Sequence, residues 1–187
     1  MLIRKAYDNI QDIHKRLTMD NRKYPLRVLL FSGKRKSGKD YFTDKLLELC
    51  NADEVAVIKI SLPIKSHFSK LYNLDLNDLM SSSQYKENFR SEMINWSDEM
   101  RKKDPGTKTD ISWFKENYGD VVRTVRIEAD ENVRRERGWT FVAGVDDSIS
   151  ECDLDDYTYW DWTVQNNGDS GQFSTALSDI YQCIKRC

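Results

Sequence analysis

Residues 29–42 read LLFSGKRKSGKDYF, and this stretch decides the fold. Within it, Gly33-Lys34-Arg35-Lys36-Ser37-Gly38-Lys39 satisfies G-x-x-x-x-G-K, with an apolar run before it and a helical pattern starting at Lys39. That strand-loop-helix setting is what separates a phosphate cradle from a glycine turn with chance basic neighbours. Glycines at both ends let the main chain wrap tightly and point its N–H groups inward. The helix adds the positive end of its dipole. Lys39 is expected to reach phosphate oxygens as a mobile point charge. Asp40 stands where such loops carry Ser or Thr. A carboxylate is a hard oxygen ligand that can take Mg2+ directly; reaching the ion through water, or pairing with a lysine, are the alternatives. Such a change argues against an ordinary GTPase or motor ATPase and leaves a small-molecule kinase open.

The chain has 187 residues, enough for one domain with a full core, and a net charge of −2. Anion binding must therefore come from local clusters of lysine and arginine, not from a bulk field, and nucleic acid is not an expected partner. No apolar run approaches the roughly 20 residues of a membrane span. Residues 1–24 carry Asp8, Asp12 and Asp20 and fit neither a secretory signal nor a transit peptide. They read as a polar extension, with a possible amphipathic helix along Ile3, Ile10, Ile13 and Leu17, ahead of a kinase domain at 25–187. Cys50, Cys152, Cys183 and Cys187 form no C-x-x-C pair, and His14 and His67 are isolated. Free thiols in a reducing cytosol, without zinc and without histidine-assisted hydrolysis, are the expectation. A monomer is expected as well.

Four apolar runs read as strands: 26–32 (LRVLLFS), 55–61 (VAVIKIS), 121–129 (VVRTVRIEA) and 161–165 (DWTVQ). Helical patterns separate them: one from Lys39, one running to about Asn73, one over 84–103, one over 111–118, one through Arg137, and one over 173–186. Strands alternating with helices predict an α/β fold with a parallel sheet covered by helices on both faces.

The helix expected over 84–103 offers a second anion pocket. At about 100° per residue, Lys86, Arg90 and Arg101 fall within an arc of about 60°, beside an apolar stripe of Phe89, Met93, Trp96 and Met100. A solvated charged face is the plain alternative. Farther on, Arg134, Arg135 and Arg137 follow a strand, where arginines can close over a γ-phosphate; a surface helix paired with Glu131 and Glu136 is the other reading.

The stretches FSGKRKSGKD, YKENFRSEMINWSDEMRKKDPG, TVRIEADENVRRERGW, GVDDSISECDLD and DWTVQNNG, in this order, resemble the animal-type phosphomevalonate kinases. The resemblance runs over nearly the whole chain after Tyr24 and includes Asp40. It implies a P-loop, nucleoside-monophosphate-kinase-like fold and transfer of the ATP γ-phosphoryl group to 5-phosphomevalonate in isoprenoid and sterol synthesis. It further implies that Lys34, Arg35, Lys36, Ser37, Gly38, Lys39 and Asp40 bind ATP, with Lys36 and Lys39 nearest the moving charge and Asp40 the residue for Mg2+. Arg137 and Asn167 would contact ATP, and Asn166 the acceptor. Arg90 and Arg101 would hold the acceptor's phosphate, helped by Lys86 and Arg126. No covalent intermediate is needed, because an acceptor phosphate is already nucleophilic; the protein must hold two polyanions in line.

One departure stands out. Residues 106–112 read GTKTDIS, where the resemblance implies about 20 further residues, the size of one strand and its connections, bearing an Asp and paired arginines. The sheet is therefore expected to lack a central strand. Two alternatives remain at this stage: a kinase of the same fold for another phosphorylated small molecule, and a non-catalytic ATP-binding isoform.

Overall fold

The computed structural model describes residues 25–81, 84–103, 111–168 and 170–186. The extension at 1–24 and the shortened connection at 104–110 lie outside the described residues, as do Cys187 and the side chains of Met100 and Arg101.

The first apolar run forms β1 (Val28–Ser32), and the phosphate-loop motif leads into α1 (Lys39–Leu49). Then come α2 (Leu62–Tyr72), α3 (Leu76–Met80), α4 (Gln84–Asn88), α5 (Arg90–Lys103) and α6 (Ile111–Tyr118). The chain continues through β2 (Val122–Glu128), α7 (Glu131–Glu136), α8 (Ile149–Cys152), β3 (Trp162–Gln165) and α9 (Ser170–Lys185). The three strands form one parallel sheet in the order β1-β2-β3. Val28 lies opposite Val122 and Ser32 opposite Arg126, while Val125 faces Trp162 and Glu128 faces Gln165.

Alternation along β2 sorts its two faces. Val125 and Ile127 join Phe42 and Leu46 of α1, Val164 of β3 and Ile180 of α9 in one buried cluster. Helix α9 presents Phe173, Ala176, Leu177, Ile180, Tyr181 and Ile184 to it, the i, i+3, i+4, i+7 spacing of a buried stripe. Phe42 is edge-on to Phe173, with ring centroids 5.0 Å apart. Thr124 and Arg126 point the other way, where Thr124 is satisfied by the carboxylate of Asp161 at 2.8 and 2.9 Å. A second, smaller cluster of Phe68, Leu79 and Met93, flanked by Tyr85, Phe89 and Trp96, welds α2, α3, α4 and α5 into a separate helical layer.

The strand expected over 55–61 does not form. Val57, Ile58 and Ile60 remain 55%, 41% and 51% exposed, and the segment runs unpaired into α2. The reason is pairing, not propensity. A β-prone run becomes a strand only where a neighbour supplies a ladder and a covered face. Among the described residues β1 pairs with β2 alone, and no strand lies between Ser32 and Val122 to stand next to this run. The sheet thus has three strands among the described residues, in keeping with the expected gap. The helix expected over 84–103 is also divided, with a break at Phe89 between α4 and α5.

Candidate functional site

Because all three strands are parallel, their carboxyl ends share one edge of the sheet, where open α/β sheets bind ligands. The phosphate loop follows β1, the Asp130 turn into α7 follows β2, and Asn166-Asn167 follows β3.

The loop is shaped for an anion. Lys36 and Gly38 both adopt positive φ, 61° and 89°, which turns successive N–H groups to one side. Ser37 is buried, and its hydroxyl finds no hydrogen-bond partner among the described residues. The loop is then held from below. The Asn166 side-chain amide donates to the Ser37 carbonyl at 2.8 Å. Arg137 donates to the carbonyls of Ser37 and Asn166, at 3.1 and 2.7 Å. A side chain at Gly38 would overlap that Asn166 amide, so glycine is required there twice, for conformation and for space.

Basic residues surround the loop, and Lys39, Lys34, Arg35 and Arg126 among them are paired. Lys39 Nζ lies 2.7 Å from Asp40 Oδ1, and this hydrogen bond holds the Asp40 carboxyl below its ordinary range. Lys34 contacts Asp155 at 2.5 Å, which raises the lysine's pKa. Arg35 contacts Asp146 at 2.7 Å and Glu87 at 3.0 Å. Arg126 is buried, with Nη1 donating to Ser32 Oγ at 2.9 Å and Nη2 to Asp155 at 3.1 Å.

Facing the loop, α4 and α5 bring Lys86 and Arg90. Burial, then the neighbouring Arg90, pushes the Lys86 ammonium down. Arg90 grips Glu87 with two bonds, 2.8 and 2.6 Å. Lys65, from α2, joins them: burial, with the charges of Lys86, Arg90 and Lys59, lowers it to about 8. Lys65, Lys86 and Arg90 thus lie close enough to depress the two lysines, with Glu87 bonded to Arg90, a cation-rich group suited to an anion.

A profile of the phosphomevalonate kinase family matches residues 31–115, which spans the loop, the facing helices and the start of α6. The phosphomevalonate kinase of Drosophila melanogaster is 40% identical over 157 residues, covering 70% of this chain and 82% of the fly protein. The chain belongs to the phosphomevalonate kinase family. Since 70% of 187 residues is fewer than 157, the fly member carries residues within the match that this member lacks.

The loop residues 33–40, Arg137, Asn166 and Arg126 gather at the carboxyl edge of the sheet, with Lys86 and Arg90 opposite. Asn167 stands aside: its side-chain oxygen accepts from the Asp130 main-chain N–H at 2.7 Å, at the start of α7. Asn166, expected toward the acceptor, is engaged with the donor loop. The side chain of Arg101 lies outside the described residues. Sequence reasoning missed Lys59 and Lys65, which sit in or beyond a run misread as a strand, and the carboxylates Glu87, Asp146 and Asp155 that hold the cations. The signal available for Lys65 was its place three residues into a Pro-started helix after that run.

Proposed function

We propose that this chain transfers the γ-phosphoryl group of ATP to 5-phosphomevalonate, giving 5-diphosphomevalonate and ADP, within the mevalonate route to isoprenoids and sterols. The observation that carries the reading is the pair of facing anion sites in a member of this family. One is the cradle at 33–38 with its orphaned Ser37 hydroxyl; the other is the Lys65–Lys86–Arg90 cluster.

The chemistry follows from charge. An acceptor phosphate oxygen attacks the γ-phosphorus, the bond from that phosphorus to the bridging oxygen breaks, and ADP leaves. Lys65, Lys86 and Arg90, with Arg101, hold the acceptor dianion, and Arg126 supports that side. Main-chain N–H groups of the cradle with Lys34, Arg35, Lys36, Ser37, Gly38 and Lys39 hold the donor. Lys36, Lys39 and Arg137 sit nearest the charge that shifts, and Asn167 fixes the turn beside it. Positioning and charge neutralisation are the whole task. Asp40 fits a magnesium site of the usual kind, one carboxylate completed by phosphates and water, and when bound the ion neutralises the phosphate oxygens. No helix among the described residues is long and apolar enough to cross a membrane, and residues 25–187 are read as the kinase unit.

A second reading rests on the three-stranded sheet: a nucleotide-binding isoform that holds ATP without transferring phosphate. An ADP-release assay with 5-phosphomevalonate, nucleoside monophosphates and dephospho-coenzyme A as acceptors separates the cases. Turnover with the first alone supports the kinase; turnover with none, in a chain that binds ATP, supports the isoform.

A further inference from the structure

Arg35 sits in the phosphate loop, yet its guanidinium does not face the cradle. It is clamped between two carboxylates from distant parts of the chain. Nη1 meets Asp146 at 2.7 Å, and Nη2 meets Glu87 at 3.0 Å. Asp146 is itself fixed, accepting the Trp139 indole N–H and the Val142 main-chain N–H, each at 2.9 Å. Its buried carboxylate gives the clamp a rigid side. The main chain of Arg35 is pinned too: its carbonyl accepts Nε of Arg134 at 2.8 Å, and that guanidinium lies over the Trp139 ring at 4.1 Å. Both ends of Arg35 therefore set the shape of the loop.

The other side of the clamp is shared. Glu87 gives Oε1 to Arg90 Nη2 at 2.6 Å, while Oε2 accepts Arg90 Nε at 2.8 Å as well as Arg35 Nη2 at 3.0 Å. One carboxylate thus divides itself between an arginine of the acceptor cluster and an arginine of the donor loop. Resting on the kinase reading above, we propose that Glu87 is a positioning residue that couples the two sites. An acceptor phosphate is a stronger, bidentate partner for Arg90 and competes with Glu87 for it. As Arg90 turns to the phosphate, both oxygens of Glu87 become available to Arg35. The loop is then braced on two sides, by Glu87 and Asp146, in the shape that receives the donor. The partly buried setting matters, since charge pairs screened from water exchange partners at a larger energetic difference than exposed ones. Linkage makes the effect mutual: a donor that favours the braced loop draws Glu87 from Arg90 and frees it for the acceptor.

The test is calorimetric titration of the full chain with magnesium and a non-hydrolysable ATP analogue, with and without saturating 5-phosphomevalonate, in the wild type, Glu87→Gln and Glu87→Asp. The aspartate keeps the charge but is too short to span both arginines, and it serves if the glutamine variant fails to fold. The expected result is that the acceptor tightens analogue binding in the wild type by a factor at least about five-fold larger than in either variant. A residue with a merely structural role would weaken both ligands without altering their mutual effect. A coupling factor within two-fold of wild type in the variants, or wild type that binds both ligands with no mutual effect, would overturn the role of Glu87. Wild type that binds neither ligand would instead overturn the kinase reading and this inference with it.

Discussion

The side-chain amide of Asn166, just past β3, donates to the carbonyl of Ser37 in the phosphate loop at 2.8 Å. Residues 129 positions apart are thereby joined at the carboxyl edge of the sheet. Replacing Asn166 with Ala removes one of that carbonyl's two donors and leaves Arg137 at 3.1 Å, a loss of about 0.5–1.5 kcal/mol. Gly38→Ala is expected to be as harmful or more so, because it adds overlap with the same amide to a backbone strain of about 1–3 kcal/mol. Urea denaturation should show both variants unfolding earlier, with ATP-analogue affinity reduced in each.

Lys39 is expected to be required for transfer, not for folding. Its ammonium lies in the open beside Asp40, so Lys39→Met removes no core contact. The thermal midpoint should stay near that of the wild type, while kcat falls by about 10²–10³-fold, the scale of losing one preorganised donor to transition-state charge.

Lys65 gives a pH signature. Its folded pKa is lowered from 10.5 to about 8 by burial and by Lys86, Arg90 and Lys59. The unfolded chain therefore holds this proton to higher pH than the folded one. Stability from this group rises as pH climbs from about 8 toward 10.5, the reverse of a salt-bridged lysine. Acceptor binding runs the other way, since Lys65 loses its charge above about pH 8. The KM for 5-phosphomevalonate should rise on that limb, and Lys65→Met should start higher and lack the limb.

Asp155 holds the opposite sign. Burial pushes its carboxyl up, but hydrogen bonds from Lys34 and Arg126 outweigh that and leave it below its ordinary 3.8. Its contribution is present above that value and is lost as pH falls through the lower folded value. Asp155→Asn should flatten part of the acid unfolding curve below pH 3.8, measured by circular dichroism.

The unpaired run before α2 separates pattern from packing. Ile60→Ser should change stability by no more than about 0.5 kcal/mol, as at an ordinary surface site. Ile127→Ala, fully buried in the central strand β2, should cost about 2–5 kcal/mol.

That contrast also shows what the sequence could reveal. The loop at 33–39 was legible because its glycines, its lysine and the strand before it form a local pattern with one physical meaning. β2 and β3 were legible because they are short apolar runs bounded by turns, and α9 because its stripe repeats at helical spacing. The run at 55–61 has the same local look as β1 and fails because its partner is a matter of tertiary topology. The break at Phe89 was hidden for a similar reason: the ring serves the Phe68–Leu79–Met93 cluster, and periodicity alone runs straight through it. Glu87, Asp146 and Asp155 look like surface acids in sequence. Their function as holders of Arg90, Arg35, Lys34 and Arg126 depends on contacts across up to 121 positions, which no local pattern records.

The most direct measurement of the central claim is ³¹P NMR of the folded chain incubated with ATP, Mg2+ and 5-phosphomevalonate. The account predicts new diphosphate resonances on the acceptor growing in step with ADP, and their absence with Lys39→Met. ATP that persists unchanged, or that yields only orthophosphate, in a sample whose circular dichroism shows it folded would contradict it.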